Sequence, residues 1–208
     1  MPTITRLKAT STGRKVKVYV DGKFFTKISP DQIYKQGLKK GQKMSGQKLQ
    51  DLKHKSETEQ AVNKALNLLS YRPRSNFEIK IRLQKKYSKP AVENALAQLN
   101  EKEYLDDEEF AAWFVDQRLK HKPKGPIALK SELYKKGVDR TIIEKVLSEK
   151  ISDPDQLKEL ARTAAQKKSS YLKLPENEAK KKLLSFLSRR GFSYQTSKLV
   201  VDELVSKQ

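Results

Sequence analysis

The spacing of apolar residues along this chain changes once, from alternation near the N-terminus to helical spacing afterwards. Val16-Lys17-Val18-Tyr19-Val20 alternates, runs into Asp21-Gly22, and is followed by Lys23-Phe24-Phe25-Thr26. Asp-Gly between β-branched and aromatic runs predicts a β-hairpin, because both central turn positions need positive φ. Ile4 to Ala9 predicts a third strand across the Thr12-Gly13 turn, a useful addition because an isolated hairpin is only marginally stable in water. Ser29-Pro30-Asp31-Gln32 supplies an N-cap Ser, Pro at N1 and Gln at N3, so a short helix starts there and stops near Gly37.

From about Leu49 the pattern is helical, with Ala61, Val62, Ala65, Leu66 and Leu69 on one stripe before Tyr71-Arg72-Pro73-Arg74 breaks it. Ser75-Asn76-Phe77-Glu78 reads as a capping box opening a helix with Ile79 and Leu83 on its apolar side, and Val92, Leu96 and Leu99 form the next stripe. A second set opens at Asp106-Asp107-Glu108-Glu109, carries Phe110, Ala111, Trp113, Phe114 and Val115, and breaks at Lys122-Pro123-Lys124-Gly125-Pro126. Gly125-Pro126 suits a helix start; Leu129 and Leu133 continue it, and Ile142, Ile143, Val146 and Leu147 complete the set. In a third set, a helix from about Gln156 ends before Leu174-Pro175, a longer one holds Leu183, Leu184 and Leu187, and the last carries Leu199, Val200 and Leu204.

One pattern recurs in all three sets: Leu83-Gln84-Lys85-Lys86-Tyr87, Leu133-Tyr134-Lys135-Lys136-Gly137 and Leu187-Ser188-Arg189-Arg190-Gly191. Such recurrence marks a tandem array of small helical units. In the last two copies an apolar residue and an N-cap type follow the Gly, as Gly137-Val138-Asp139 and Gly191-Phe192-Ser193, which is how one helix ends and another begins. The first copy has Tyr87 instead, with Ser88 and Pro90 restarting the helix, so its corner should differ. The expected fold is mainly α: a β-rich extension with a short helix over residues 1–45, then three-helix repeats over 46–105, 106–152 and 153–208 in an elongated, curved array.

Composition narrows the function classes. Of 208 residues, 45 are Lys or Arg and 25 Asp or Glu, a formal net charge of +20, which implies a polyanionic partner, nucleic acid or an acidic protein surface. Zero cysteines remove disulfides, zinc ribbons and thiol nucleophiles, and His54 and His121 stand alone. No apolar run is long enough to span a bilayer and no N-terminal export pattern is visible, so a cytoplasmic, soluble chain without a membrane partner is expected. Charge repulsion argues for a monomer.

The acidic quartet Asp106-Asp107-Glu108-Glu109 invites a reading as a metal-dependent nuclease site, but Asp-x-x-Glu is itself a helix-start signal and acids favour the first turn. Trp113, flanked by Phe110 and Phe114, fits a packed face better than an exposed stacking platform. No Gly-rich phosphate loop and no nucleophile–base set is present, so neither catalysis nor a cofactor or metal is expected. The basic residues gather at breaks and corners: Arg72, Arg74, Lys85, Lys86, Arg118, Lys120, Lys122, Lys124, Lys135, Lys136, Arg189 and Arg190. Basic residues before a corner suit the negative end of the helix dipole. As a set they also suit phosphate contacts, which need only positive charge at repeated spacing.

Three blocks carry a resemblance: Leu68-Leu69-Ser70-Tyr71-Arg72-Pro73-Arg74-Ser75, then Tyr104-Leu105-Asp106-Asp107-Glu108-Glu109-Phe110-Ala111, then Lys124-Gly125-Pro126 through Glu132-Leu133-Tyr134-Lys135-Lys136-Gly137-Val138. In order and spacing they resemble the RecX family of bacterial recombination regulators, including Gram-positive members with a β-rich N-terminal extension. Glu103 stands where that family usually has Gly, and Tyr87 replaces a common Gly. The resemblance implies a non-enzymatic modulator of the RecA recombinase that binds in the groove of the RecA–single-stranded DNA filament. It further implies inhibition of ATP hydrolysis, strand exchange and coprotease activity, and a role in recombination, DNA repair and the SOS response. Tyr104, Leu105, Asp106, Asp107, Phe110, Gly125, Pro126, Gly137 and Gly191 are then structural motif positions, and the twelve basic residues are candidate contacts to filament or to single- or double-stranded DNA. The alternative from the residues alone is a stand-alone, non-specific nucleic-acid-binding protein.

Overall fold

Asp21 and Gly22 take φ of 47° and 79°, the paired left-handed geometry that turns strands with matching twist. They join β2 (Val16–Val20) to β3 (Lys23–Ile28), and β1 (Ile4–Ala9) pairs with β2, giving an antiparallel sheet in the order β1-β2-β3. These and all following features belong to a computed structural model that describes residues 1–206. Helix α1 (Pro30–Lys35) is capped by the Ser29 side chain, which accepts from the Gln32 N–H, and Gly37 closes it at φ 57°. Helix α2 (Gly46–Leu69) starts earlier than the apolar stripe indicates, because Ser45 caps it through the Lys48 N–H.

The remaining helices are α3 (Asn76–Gln84), α4 (Lys89–Glu101), α5 (Asp107–His121), α6 (Pro126–Lys135), α7 (Arg140–Lys150), α8 (Pro154–Gln166), α9 (Ser169–Leu172), α10 (Glu176–Arg189) and α11 (Tyr194–Val205). The single turn α9 was not signalled by the apolar spacing. The sequence reads there as one helix from about Gln156 to just before Leu174-Pro175, but α8 ends at Gln166 and α9 follows as a separate turn, with the Lys168 N–H donating to the Ala165 carbonyl and the Tyr171 N–H to the Lys168 carbonyl.

The chain divides into two compact units, one comprising Met1–Tyr71 with Lys80–Tyr104, the other Arg72–Ile79 with Leu105 onward. In the first, the inner sheet face packs Ile4, Val18 and Ile28 against Leu38, Met44, Leu49 and Leu52. Helix α2 lies along α4, and Ala61, Ala65, Ala91 and Ala95 are fully buried; small side chains let the helices approach closely. In the second unit, α5, α6 and α7 enclose Phe110, Phe114, Leu129, Leu133, Ile143 and Val146, while α8, α10 and α11 enclose Ala161, Leu183, Leu187, Phe192 and Val200. The recurring Leu83, Leu133 and Leu187 are each fully buried.

Candidate functional site

The corners follow from local hydrogen bonding. At the second, Gly137 has φ 75°, its N–H donates to Tyr134 O at 2.9 Å, and the Val138 N–H reaches Leu133 O at 3.2 Å. At the third, Gly191 has φ 82° and the Phe192 N–H reaches Leu187 O at 3.2 Å. Val138 and Phe192 are buried, and Asp139 and Ser193 cap the helices that follow. This is the double bond pattern and apolar fold-back of a glycine-terminated helix. The first corner lacks a left-handed residue: the Lys86 and Tyr87 N–H groups both donate to Leu83 O at 3.0 Å, and Ser88 donates through Oγ to Glu57 at 2.6 Å.

Two corners in the second unit are also joints. The Gly125 N–H donates to Arg190 O at 2.9 Å, and a Cβ on Gly125 would lie 2.2 Å from Gly191 O. Likewise Ser75 Oγ donates to Lys136 O at 2.7 Å, and a Cβ on Gly137 would meet Phe77 Cβ at 2.4 Å. Thus Gly125, placed by sequence as a helix start, is required chiefly for close approach, and Gly137 and Gly191 serve both turn and contact.

The twin basic residues are not equivalent. Lys85, Lys135 and Arg189, first in each pair, are exposed; among the described residues none has an ion pair, and Arg189 donates to its neighbour Ser185. Lys136 and Arg190, second in theirs, are half-buried: Lys136 Nζ is 2.7 Å from Glu78 and 5.3 Å from the Phe114 ring centre, and Arg190 lies 5.1 Å from the Phe186 ring centre. Lys86 is exposed and lies 5.7 Å from the Tyr87 ring centre.

Several other candidates are tied down as well. Arg72 pairs with Glu78 at 3.1 Å and sits 5.6 Å from the Trp113 ring centre. Half of the expected capping box forms, Ser75 Oγ accepting from the Glu78 N–H at 3.1 Å, while the Glu78 carboxylate goes to Arg72 and Lys136. Burial pushes the Glu78 carboxyl up, but hydrogen bonds from both cations outweigh it and hold the group below the usual carboxylate range. Arg118 and Lys124 share Glu132, whose carboxyl is lowered by the same balance of burial against Lys124 and Arg118. Arg74 is half-buried, whereas Lys120 and Lys122 are exposed and, among the described residues, without an ion pair.

The acidic quartet has a structural role. Asp106 Oδ1 accepts from the Glu108 and Glu109 N–H groups at 2.7 and 3.1 Å. Asp107 Oδ1 accepts from the Asn76 N–H at 2.8 Å, capping a different helix, and burial raises its pKa against that bond. Trp113 packs against the Phe110 cluster with ring centres 6.1 Å apart. Leu105 and Phe110 are buried, Tyr104 is exposed, and Pro126 follows the Gly125 cap. Glu103, at the position of the missing Gly, holds φ 56°.

Family models for the first, second and third three-helix domains of RecX match residues 61–99, 106–147 and 155–201. "Regulatory protein RecX" of Bacillus subtilis (strain 168) is 32% identical, with 98% of this chain and 78% of that protein aligned. The protein of the same description from Lactobacillus johnsonii is 30% identical over 98% of this chain and 75% of its own. Among solved structures, one described as regulatory protein RecX superposes with a TM-score of 0.72 at 24% identity, covering 97% of this chain and all of that one. RecX from Lactobacillus salivarius gives 0.61 at 26% identity over 71% of this chain and 96% of its own.

Proposed function

Because the chain belongs to the RecX family, we propose that it is a cytoplasmic, monomeric, non-enzymatic regulator that binds within the RecA–single-stranded DNA filament. Bound there, it inhibits ATP hydrolysis, strand exchange and coprotease activity by occupying the groove. The observation that carries this reading is the exposure of the first basic residue in each of the three twin pairs. Lys85, Lys135 and Arg189 recur at equivalent places in three repeats, exposed and without an acidic partner among the described residues. Cations recurring at the same place in successive repeats suit a partner that carries repeated negative charge, such as a filament that contains DNA. Arg72, Arg118, Lys124 and Lys136 are instead engaged within the fold by Glu78 and Glu132.

The test is the single-stranded-DNA-dependent ATPase rate of RecA as the chain is titrated in at two salt concentrations, beside its binding to bare DNA. Inhibition at far fewer copies than RecA, persisting at salt that abolishes bare-DNA binding, is expected. Inhibition that tracked DNA coating at every salt would overturn the filament reading in favour of a plain DNA-binding module.

A further inference from the structure

The outer face of the N-terminal sheet is built at an energetic cost that its own fold does not explain. Register places Lys8 opposite Lys17 and Lys17 opposite Lys27, a row of three ammonium groups across three strands. Like charges directly opposite one another destabilise a sheet. The neighbouring row on the same face pairs Arg6 with Tyr19 and Tyr19 with Phe24. Here the Arg6 guanidinium lies 5.8 Å from the Tyr19 ring centre, and the Tyr19 and Phe24 rings meet edge to face at 5.9 Å. Phe24 is 54% exposed although Phe25, beside it at a bulge, turns inward against the core.

Among the described residues no carboxylate forms an ion pair on this face. Residues 1–30 hold seven Lys and Arg against one acid, Asp21, and that acid accepts a hydrogen bond from the Thr3 N–H at 2.9 Å. Among the described residues none of Arg6, Lys8, Lys17 and Lys27 forms an ion pair. The crowding extends past the strand: the Lys15 ammonium is held below its usual range, first by burial, then by the Lys27 and Lys86 cations against the pull of Glu59.

We propose that this sheet face is a binding platform for single-stranded DNA, with Tyr19 and Phe24 stacking on bases and Arg6, Lys8, Lys17 and Lys27 contacting phosphates. Aromatic rings beside a cationic row are the combination that holds unpaired bases, since every base has a stacking face and every linkage a charge. Duplex DNA satisfies the lysines but leaves the rings unused, and an acidic protein gives them no flat partner. The choice of DNA over RNA rests on the filament reading above; the choice of a single strand does not.

The test needs no RecA, so its failure is distinct from failure of the filament reading. Binding of the full chain to fluorescent (dT)20 is measured by anisotropy across salt concentrations, for the wild type and for Phe24→Ala and Lys17→Ala. Phe24→Ala should weaken (dT)20 binding about tenfold, the scale of losing one base stack, while leaving binding to a 20-base-pair duplex within about twofold. Lys17→Ala should flatten the salt dependence by about one phosphate contact with no loss of melting temperature, a pairing that a purely structural lysine does not give. Photocrosslinking to a bromodeoxyuridine oligonucleotide should label the segment holding Tyr19 and Phe24. Wild-type (dT)20 affinity and salt slope in both variants would overturn the platform, as would equal losses on single-stranded and duplex DNA. Loss of binding to polyglutamate alone would assign the face to an acidic protein instead, and tighter binding of (rU)20 would overturn the choice of DNA.

Discussion

The N-terminal sheet and the helical repeats treat positive charge in opposite ways. In the second unit, carboxylates are shared between cations: Glu78 serves Arg72 and Lys136, Glu132 serves Arg118 and Lys124, Glu144 serves Lys130 and Arg140, and Glu203 serves Lys158 and Arg162. The sheet instead sets lysine opposite lysine. With 45 basic residues to 25 acidic, acids are the scarce component, and two of the shared ones, Glu78 and Glu132, stand beside half-buried cations, where unpaired charge would cost most.

Removing a shared acid should break this contrast with the largest effect. Glu78→Ala leaves Arg72 and Lys136 facing each other beside the aromatic rings of α5, and unfolding by urea should show a loss of about 2 kcal/mol. That is below the range for a fully buried broken pair, because the group retains some exposure. Acid should act in the same direction. Glu78 and Glu132 ionise more readily in the folded chain than at the ordinary value of 4.5, so the unfolded chain binds protons first as pH falls. Their contribution is full above that value and disappears as pH drops through the lower folded values. Urea midpoints measured from pH 6 to pH 3 should fall for the wild type and fall less for Glu78→Ala.

This distribution was only partly legible in the sequence. Strands, turns and corners rest on neighbours in the chain: Asp21-Gly22 dictates its turn, and Gly137-Val138-Asp139 its corner. Joints and ion pairs rest on residues far apart, so Gly125 reads as a helix start although its tightest requirement is the backbone at Gly191. Lys136 likewise reads as surface although its partner Glu78 lies 58 positions away. Glu103 shows the limit from the other side. The Tyr104 N–H bonds back to Leu99 O at 2.9 Å and forces φ 56° on a residue with no conformational preference for it, a corner that apolar spacing marks but residue type conceals. Lys8, Lys17 and Lys27 were legible only as charge until register set them side by side.

Giving the sheet an acid should sharpen the contrast by a smaller amount. Lys17→Glu places a carboxylate between Lys8 and Lys27, turning two repulsive cross-strand pairs into attractive ones, and should raise stability by about 0.5 kcal/mol. Thermal unfolding in low salt is the measurement, since salt screens the gain. A loss of stability instead would mean that the lysine row is supported by contacts within the sheet, and the argument that it serves an external ligand would fail with it.

The smallest effect is expected within a single twin. Lys135 and Lys136 are neighbours of identical chemistry, yet Lys135 is exposed and Lys136 lies against Glu78 and the Phe110 and Phe114 rings. Lys135→Ala should leave stability within about 0.5 kcal/mol of wild type, as for ordinary surface substitutions. Lys136→Ala should cost about 1–2 kcal/mol, from a lost charge-assisted hydrogen bond and ring contact. Inhibition of RecA should show the reverse order at equal folded concentration, with Lys135→Ala the weaker inhibitor. Equal stability losses would place both lysines in the fold, and equal inhibition would remove Lys135 from the surface that meets the filament. The two variants have the same composition and net charge, and the positions are adjacent: Lys135 is the last residue of α6 and Lys136 its C-cap. What separates them is the direction in which each ammonium is carried, because successive residues at the end of a helix point roughly 100° apart.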